Sequence, residues 1–280
     1  MKRFLYKLYS KLLSILYVWK WSFDVPFLRK STKKKKEQPK EISGKLLVLI
    51  PHADDEWVGC SQLLCDENIE VILLNMDMRG GDEEELHSHR REELQLIANK
   101  YNRELITIGY DKEQTLKCII EEYTPNIICV PYFFDWHPEH IAVMNYLLSV
   151  VNNSTYEGDV LMYQVSLPIL SEECNYWIPM NKEQWARKWS VFEEVYKSQI
   201  NIPYKRFACN ERINGAVCGD YAAEVYQLIS ADIWQSQLPE YLLKQVEIDE
   251  VKKVIMDIAK TRKLLSIFRD KRCRTLNIEK

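Results

Sequence analysis

The sequence predicts an α/β protein in which a mostly parallel sheet carries helices on both faces. Short, uninterrupted apolar runs alternate with segments of helical periodicity between residues 45 and 165. Such runs are typical of strands buried on both faces, because helices cover each side of a parallel sheet. The chain has 280 residues, of which 46% are hydrophobic, so it can bury a core large enough for this architecture.

The predicted elements alternate along the first 165 residues and become less regular afterwards. They are the strands Lys45–Ile50, Glu70–Met76, Glu104–Gly109, Asn126–Pro131 and Val160–Val165, and the helices Val58–Asp66, Glu83–Tyr101, Gln114–Glu122 and Pro138–Val150. Further helices are predicted at Gln184–Ser198 and Ile248–Phe268, whereas Asp220–Ile229 fits either structure. Because strands in this order run parallel, a ligand site is expected beyond their carboxyl ends, where the strand order reverses.

Composition argues against several common kinds of site. Glycine is scarce, at 8 residues, and no G-x-G-x-x-G, G-x-x-x-x-G-K-S/T or G-x-S-x-G motif occurs. We therefore expect neither a glycine-rich phosphate loop nor a serine nucleophile elbow. The 8 cysteines include no C-x-x-C pair, a pattern that favours reduced, packed thiols and hence a cytosolic protein.

The net charge of −3 conceals an uneven distribution along the chain. Residues 1–40 contain twelve Lys or Arg and two acids, a balance of +10, so residues 41–280 carry −13. We expect the acidic body to repel nucleic acid, whereas the basic arm can attract the phosphates of a membrane surface or of RNA.

The internal pattern of the basic arm favours a membrane surface over RNA. Apolar residues recur at helical spacing, largely opposite the basic ones; they are Leu5, Leu8, Leu12, Ile15, Leu16 and Trp19. Together with lysines 33–36, they predict that residues 1–40 bind, as an amphipathic helix, the inner face of a membrane. Neither a spanning segment nor a secretory cleavage site is expected. The alternative is a helix docked on the protein's own body or on a partner chain.

All five histidines lie in the alternating half of the chain, and they favour a metal site. Pro51–Glu56 directly follows the first predicted strand, and Trp136–His140 lies just beyond the fourth. Zinc takes imidazole and carboxylate ligands, and a catalytic zinc site leaves one position to water. We therefore predict that His52, Asp55 and His140 bind a zinc ion, with another divalent transition metal as the alternative.

The adjacent acids Asp54 and Asp55 support a cation at this place, since neighbouring carboxylates repel each other when both are ionised. If Asp55 binds the metal, Asp54 is left beside the metal's water as a general base. The alternative is structural, because acids at the start of a helix cap it and favour its dipole. The pair His137 and His140 at a second strand end favours the metal.

Pro51–Glu56 reads PHADDE, and Trp136–His140 reads WHPEH. They are similar to the signatures (A/P)-H-P-D-D-E and H-P-D-H of the PIG-L/LmbE-like zinc deacetylases, the superfamily of N-acetylglucosaminyl-phosphatidylinositol deacetylase. Arg90–Leu94 resembles the family's R-x-x-E-L, Lys197–Gln199 its later K/S-Q element, and Ala223-Glu224 a terminal one. The likeness spans roughly residues 44–235.

This resemblance implies a Rossmann-like three-layer fold and zinc-dependent hydrolysis of an N-acetyl group, most often on an N-acetylglucosamine unit. By position, the three predicted metal ligands match the family's zinc ligands, and Asp54 matches its general base. His137 matches the histidine that polarises the amide carbonyl and stabilises the oxyanion, with protonation of the leaving amine as a further role. Arg90 matches a position that contacts the substrate.

The sequence departs from the family pattern at several places. Ala53 replaces the usual proline in the first signature, and Glu139 replaces the aspartate between the two histidines of the second. Met78–Asp82 (MRGGD) replaces a T-x-G-x-x-G loop, so the family's specificity contacts do not carry over there. The basic arm is not part of the pattern.

We therefore expect residues 44–280 to form a zinc deacetylase domain and residues 1–43 to form a basic amphipathic arm and linker. The expected substrate is an N-acetylated sugar or glycoconjugate, with a lipid-linked glycan precursor among the candidates. An amidase for another N-acyl or thiol conjugate is one alternative, and a non-catalytic scaffold tethered to a membrane is another. Nucleic acid is not expected as a partner.

Outside these motifs, the patterns predict ordinary structural roles. His87 and His89 fall on a strongly charged helix and are predicted to be exposed, and Lys188 is predicted to be a surface charge. Trp189 and Tyr196 are predicted to pack in the core rather than against a sugar.

Overall fold

The computed structural model describes residues 2–35, 42–78, 84–199 and 203–275, with side chains from residue 15 to residue 274. The strands are β1 Lys45–Ile50, β2 Glu70–Asn75, β3 Glu104–Thr107, β4 Ile127–Pro131, β5 Asp159–Tyr163, β6 Tyr176–Met180 and β7 Ala222–Ser230. The helices are α1 Lys2–Ser31, α2 Asp55–Cys65, α3 Glu84–Lys100, α4 Lys112–Tyr123, α5 Pro138–Asn152, α6 Lys182–Val195, α7 Tyr204–Cys218, α8 Ala231–Tyr241, α9 Gln245–Val254 and α10 Ile258–Thr275.

The seven strands of the described residues form one sheet in the order β3-β2-β1-β4-β5-β7-β6. The first five strands pair in parallel, and β7 runs antiparallel to its neighbours β5 and β6. The prediction of a mostly parallel α/β sheet is confirmed, and the five predicted strands lie within two residues of their predicted bounds.

Alternate residues of β1 lie on opposite faces of the sheet and pack into different cores. Leu47 and Leu49 join a cluster that includes side chains of α4 and α5. Leu46, Val48 and Ile50 join a second cluster that includes side chains of α2 and α3. Because both sets are fully buried, β1 is apolar along its whole length, and helices cover both faces in three layers as predicted.

The strand order reverses at β1, which lies between β2 and β4. The chain moves outward from β1 to β2 and β3, and it later returns to pair β4 with the other side of β1. The loops that follow β1 and β4 therefore diverge at the carboxyl edge of the sheet and leave a crevice between them. Pro51–Glu56 and Trp136–His140 follow these two strands.

The single C-terminal helix predicted over Ile248–Phe268 is wrong, because α9 ends at Val254 and α10 begins at Ile258. The Asp257 carboxylate accepts a hydrogen bond from the Lys260 amide at 3.0 Å, which caps the new helix. At the break, the backbone carbonyls of residues 255 and 256 are no longer used in a continuous helix. They accept hydrogen bonds from the side chains of Arg206 and Trp21, both at 2.8 Å. Tertiary contacts therefore override an unbroken apolar period.

The ambiguous segment Asp220–Ile229 falls largely in β7.

The N-terminal helix α1 packs against the body through one side. Trp21 and Val25 are buried, the Trp21 indole donates to the Met256 carbonyl, and Lys20 pairs with Asp257 at 3.2 Å. This part of the helix is docked on the protein's own body, as the alternative to the membrane hypothesis predicts. The amphipathic pattern of residues 1–14 stays a prediction, because those side chains lie outside the described residues.

A different side of α1 exposes large apolar side chains to solvent. Their exposed fractions run from 64% to 81%, and they belong to Leu16, Trp19, Phe23 and Phe27. Residues three or four apart lie on nearly the same face of a helix, so the four form one stripe. In the described part of the chain, no helix combines the length and the apolar content that crossing a membrane requires.

Candidate metal centre and catalytic site

The loop after β1 enters α2 through a sharp turn at Asp54. Asp54 has a φ of 122°, a region that favours glycine, and its side chain makes no capping hydrogen bond. The amides of Trp57 and Val58 donate to its carbonyl at 3.0 and 2.8 Å, and Glu56 accepts from its amide at 3.0 Å. A residue held in such a backbone region costs about 1–3 kcal/mol, and strain of this kind is typical of functional sites. At Asp54 the strain does not serve helix capping, because the carboxyl group makes no capping hydrogen bond.

Three side-chain atoms from this loop and from α5 form a nearly equilateral triangle. Asp55 Oδ2 lies 3.3 Å from His52 Nδ1 and 3.2 Å from His140 Nε2, and the two nitrogens are 3.3 Å apart. A tetrahedral zinc about 2.0–2.1 Å from each ligand would separate its ligands by about 3.3 Å. The structure thus brings the three predicted ligands together at distances that fit a tetrahedral metal ion.

His140 is held in one orientation by residues around it. Asp135 Oδ2 lies 2.8 Å from His140 Nδ1, and the Ser166 hydroxyl lies 3.3 Å from the same nitrogen. The other Asp135 oxygen accepts from the His137 amide at 2.8 Å, which ties the carboxylate to the start of α5. A carboxylate on Nδ1 leaves Nε2 to face the triangle, an arrangement that metal-binding histidines commonly show.

His52 is oriented in a similar way from two sides. Glu139 contacts its Nε2, and Asp55 accepts from its backbone amide at 3.0 Å. Nδ1 is therefore the nitrogen of His52 that faces the triangle. Glu139 replaces the family's aspartate, and its longer side chain still reaches across to the loop of β1.

The His137 ring lies against the rings of His52 and His140, with ring centroids 4.8 and 4.7 Å away. The ligand atoms of the three histidines lie within 4.8 Å of one another, so they form a second group that could hold a metal. This group is wider than the triangle that includes Asp55. His137 keeps about a third of its side chain exposed and lines the cavity described below.

The two acids of the loop experience opposite electrostatic effects. Burial, together with the negative charges of Asp55 and Glu56, raises the pKa of Asp54 well above its usual range. Burial also opposes ionisation of Asp55, but the imidazoles of His140 and His52 outweigh burial and hold the pKa of Asp55 below its usual range. The geometry therefore separates a carboxyl group that readily accepts a proton from one that stays ionised.

Burial lowers the pKa of each imidazole, and neighbouring acids reverse this for two of them. Asp135 and Asp55 raise the pKa of His140 well above its usual value, and Asp55 raises that of His52. The pKa of His137 is lowered by burial and by the other two imidazoles. The carboxylates thus favour the protonated form of His52 and His140, and a metal ion would compete with these protons for the imidazoles.

A cavity of about 730 Å³ opens beside the triangle. Its wall includes the side chains of Asp54, His137 and Arg90, so these predicted functional residues share one space with the metal-ligand candidates. The volume lies in the range typical of small-molecule sites. The far wall comes from the start of α7 and from Ile255 and Met256, the two residues at the break between α9 and α10.

The supporting segments that resemble the family signatures also contact one another. Glu93, in the segment RREEL, accepts hydrogen bonds from the Ser198 amide at 2.7 Å and from its hydroxyl at 2.5 Å. Gln199 donates to the Ala53 carbonyl at 2.9 Å, which ties the segment KSQ to the loop of β1. The loop Met78–Asp82 falls largely outside the described residues.

The structure corrects two predictions of exposure and confirms others. His87 is only 4% exposed, and its Nδ1 lies 4.0 Å from the carboxylate of Asp77, which follows β2. The residue is therefore on the inward side of α3. Lys188 is 2% exposed, and two buried carboxylates face its ammonium group and compensate its charge. His89 is exposed as predicted, and Trp189 and Tyr196 are buried in the core as predicted.

Sequence reasoning missed three contributors to this site. Ser166 follows β5, and no pattern marked it as a neighbour of His140. Arg206 lies in a helix that periodicity did not predict. Asp135 was not predicted to orient a histidine, although an acid shortly before a histidine pair is a signal for an orienting carboxylate.

Comparisons with known proteins identify a shared fold. No protein-family model matches the chain, and no curated protein matches its sequence. Among solved structures, the conserved protein TT1542 from Thermus thermophilus matches with a TM-score of 0.52 and 19% sequence identity. The match covers 66% of this chain and 94% of that protein.

Several of the similar structures are deacetylases by name. A triple mutant of the deacetylase Orf2, from the teicoplanin biosynthetic pathway, matches with a TM-score of 0.50 and 14% identity, covering 67% of this chain and 99% of that one. The A40926 pseudoaglycone deacetylase Dbv21 matches with a TM-score of 0.50 and 13% identity, covering 68% and 98%. At these identities the likeness shows the fold alone. The chain therefore has a fold that is also found in solved deacetylases.

Proposed function

We propose that the chain is a metal-dependent N-deacetylase that removes the acetyl group from an N-acetylglucosamine-type sugar. The observation that carries the proposal is the triangle of His52 Nδ1, Asp55 Oδ2 and His140 Nε2, with Asp54 beside it at a large cavity. The resemblance of the two signature segments to zinc deacetylases and the fold shared with solved deacetylases support the same chemistry.

Zinc, or another divalent transition metal, held by His52, Asp55 and His140 would supply Lewis acidity toward water and the acyl carbonyl. Asp54 accepts the proton of the attacking water, a role that suits a buried carboxyl group with a raised pKa. When the C–N bond breaks, this proton passes to the leaving amine, directly or through His137, and the acetyl group leaves as acetate. His137 donates a hydrogen bond to the carbonyl oxygen as negative charge develops there. Its lowered pKa favours the neutral imidazole, which still carries one N–H.

Two further residues hold the reacting groups in place. Asp135 keeps His140 in one tautomer and orientation, so it is a positioning residue. Arg90 lines the same cavity, and we propose that it contacts the sugar. Orientation of this kind lowers the barrier because it replaces a bimolecular encounter by a bound geometry.

The decisive experiment measures metal content and acetate release on the same full-length preparation. We expect protein reloaded with zinc to hold one ion and to release acetate from N-acetylglucosaminides. Asp55→Asn should lose both properties, whereas Asp249→Asn, a matched change at an exposed acid of α9, should keep both. A wild-type protein that binds no metal and releases no acetate would contradict the proposal.

The same assay separates the alternatives. Zinc-dependent release of another acyl group, or cleavage of a thiol-linked conjugate, would assign a different amidase activity to the same residues. A folded protein that hydrolyses nothing and binds no metal would favour a non-catalytic scaffold. The scaffold alternative does not account for a strained acid beside three converging ligand atoms.

We also propose that the protein is cytoplasmic and that residues 1–43 hold the catalytic domain, residues 44–280, at the inner face of a membrane. The exposed stripe of Leu16, Trp19, Phe23 and Phe27 supports this, since apolar area and basic charge together give interfacial binding. Trp21, on the docked side of α1, contacts Met256 at the cavity wall, so the helix would keep the cavity near the membrane.

Vesicle sedimentation tests the membrane proposal. The full chain should bind vesicles with anionic lipid, and binding should fall when Trp19, Phe23 and Phe27 are all replaced by Ser. A matched triple replacement of exposed apolar residues elsewhere, at Ile233, Val246 and Ile267, should leave binding unchanged. Equal binding by both triple variants would show that the stripe does not meet lipid.

A further inference from the structure

Arg206 is a buried cation on the cavity wall whose hydrogen bonds go to backbone carbonyls, while its guanidinium group lies over the Phe207 ring, 4.9 Å from the centroid. The residue is 4% exposed, and its two terminal nitrogens donate to the Ile255 and Ser166 carbonyls at 2.8 and 2.9 Å. Its Nε is buried without a hydrogen-bond partner. A guanidinium group has five N–H donors, so these two bonds leave most of its capacity unused.

The surroundings of Arg206 differ from those of the other buried cations in the described residues. Lys188 and Arg272 each contact a carboxylate, and the two terminal nitrogens of Arg262 each meet the side-chain oxygen of an asparagine at 3.0 Å. Among the described residues, no carboxylate forms an ion pair with Arg206. Buried charges in proteins are normally paired, because an uncompensated one carries a desolvation penalty of several kcal/mol.

Burial lowers the pKa of Arg206 to about 10, so the guanidinium group remains charged at neutral pH. The charge of Asp135 favours the ionised form, although Asp135 makes no ion pair with Arg206. A charged guanidinium that lines a cavity without a paired carboxylate is suited to an oxyanion, because its planar fork matches carboxylate and phosphate oxygens.

The helix that carries Arg206 adds positive potential at the same place. The 15-residue helix α7 begins at Tyr204, its first turn holds no acid, and Pro203 at its N-cap makes no side-chain cap. Pro203, Arg206 and Phe207 all line the cavity, so this helix terminus faces the space beside the metal-centre triangle. Helix N-termini favour anions through their dipole and their free amides.

The position of Arg206 connects it with the proposed reaction centre. The Ser166 carbonyl accepts from Arg206, while the Ser166 hydroxyl lies 3.3 Å from His140. On its other side, Arg206 holds the Ile255 carbonyl at the break between α9 and α10. A sugar whose acetamido group lies at the triangle would therefore extend past Arg206 toward this wall.

We propose that Arg206 and the N-terminus of α7 form an oxyanion subsite that binds a phosphate or carboxylate carried by the acylated sugar. This inference rests on the proposed deacetylase function and deepens it, because it names the class of substrate. The same chemistry fits a soluble sugar phosphate and the phosphate of a lipid-linked sugar.

Binding is measured first, on metal-free full-length protein, so that the result does not depend on catalysis. We expect calorimetry to show at least tenfold tighter binding of N-acetylglucosamine 1-phosphate than of N-acetylglucosamine. Arg206→Gln should reduce this ratio to about one, because the charge-assisted contact to the phosphate is lost. Arg262→Gln, at a buried arginine that does not line the cavity, is the control and should leave the ratio unchanged.

A second measurement compares kcat/KM for the same two sugars and for a short-chain lipid-linked sugar phosphate in micelles. If the wild-type protein prefers either phosphorylated sugar and Arg206→Gln weakens that preference, the subsite is supported. The sugar phosphate that the wild-type protein prefers then identifies the source of the phosphate. Equal ratios in wild type and Arg206→Gln would overturn it. If Arg206→Gln does not fold, Arg206→Lys replaces it, and a wild-type protein without any preference for the charged sugars would refute the subsite. Failure of acetate release from every sugar, with the binding ratio intact, would count against the deacetylase activity alone.

Discussion

Two buried clusters of charged side chains lie against α2, and each contains carboxylates that need a positive charge. The metal-centre cluster consists of His52, Asp55, Asp135 and His140, and the Lys188 cluster consists of Lys188, Glu211 and Glu224. In the Lys188 cluster the chain supplies the cation. The Lys188 ammonium donates to the Val58 carbonyl at 2.8 Å, to Glu224 at 2.6 Å and to Glu211, so all three of its donors are used.

The metal-centre cluster lies beside an open cavity, and its carboxylates face two imidazoles whose pKa values they raise. A tethered ammonium group cannot leave its site, whereas a proton on an imidazole can exchange for a metal ion. Burial of charged side chains therefore does not by itself mark a functional site. What distinguishes the two clusters is whether the compensating charge is exchangeable and whether a cavity reaches it.

The largest expected effect separates the general base from the metal ligands. Asp54→Asn should lower the rate of acetate release by about 10²–10⁴-fold, because it removes the proton acceptor. Its zinc content should stay unchanged, as measured by elemental analysis. Loss of zinc in this variant would place Asp54 among the ligands instead.

Removal of the tethered cation should act on stability rather than on chemistry. Lys188→Met leaves two carboxylates buried without a counter-ion, which should reduce the free energy of unfolding by about 3–5 kcal/mol. Urea denaturation measures this, with Lys182→Met at an exposed position of the same helix as the control. An unchanged free energy of unfolding would show that the cluster is dispensable.

Two carboxylates share one ammonium group in the Lys188 cluster, and this predicts a pH dependence of stability. Burial raises the pKa of Glu211 to about 7, with Lys188 opposing the shift. The unfolded carboxyl group has a pKa near 4.5, so between these values the folded state holds a proton that the unfolded state has lost. Raising the pH from about 4.5 to about 7 should therefore remove up to about 3 kcal/mol of stability, and the loss should level off above pH 7.

Denaturation curves across this pH range test the assignment to Glu211. Glu211→Gln should abolish this component of the slope, whereas Glu194→Gln, an exposed change at the end of α6, should preserve it. A slope that survives in Glu211→Gln would assign the titration to another group.

The smallest expected effect concerns the residue that orients His140. Asp135→Asn should weaken zinc affinity by about 10–100-fold while the fold is retained, because the carboxylate fixes the imidazole and raises its basicity. Competition with a chelator measures the affinity. Ser171→Ala, a buried polar change away from the cavity wall, serves as control. An affinity equal to that of wild type would show that Ser166 alone orients the ring.

Local patterns were sufficient to locate the five parallel strands and the two signature segments. β1 begins and ends at the predicted residues, because a run such as Lys45–Ile50 has few alternatives to a strand buried on both faces. The positions of Pro51–Glu56 and Trp136–His140 after β1 and β4 then followed from the order of the elements. The roles proposed for the site residues remain predictions that the experiments above test.

Other features were not visible in local patterns. An unbroken apolar period predicted one helix over Ile248–Phe268, but hydrogen bonds from Trp21 and Arg206 stabilise the break. Lys188 resembled any surface lysine of a charged helix, because its carboxylate partners lie 23 and 36 residues away in sequence.

By itself, the sequence determined the alternation of strands and helices and therefore the edge of the sheet at which the two signature segments meet. This was possible because apolar periodicity reports burial over a few neighbouring residues. Only the tertiary structure decided which atoms meet across that edge: the triangle of ligand atoms, the carboxylates around Lys188 and the cavity wall at Arg206. Such contacts join residues tens of positions apart, and their distances depend on how whole helices pack rather than on any local pattern.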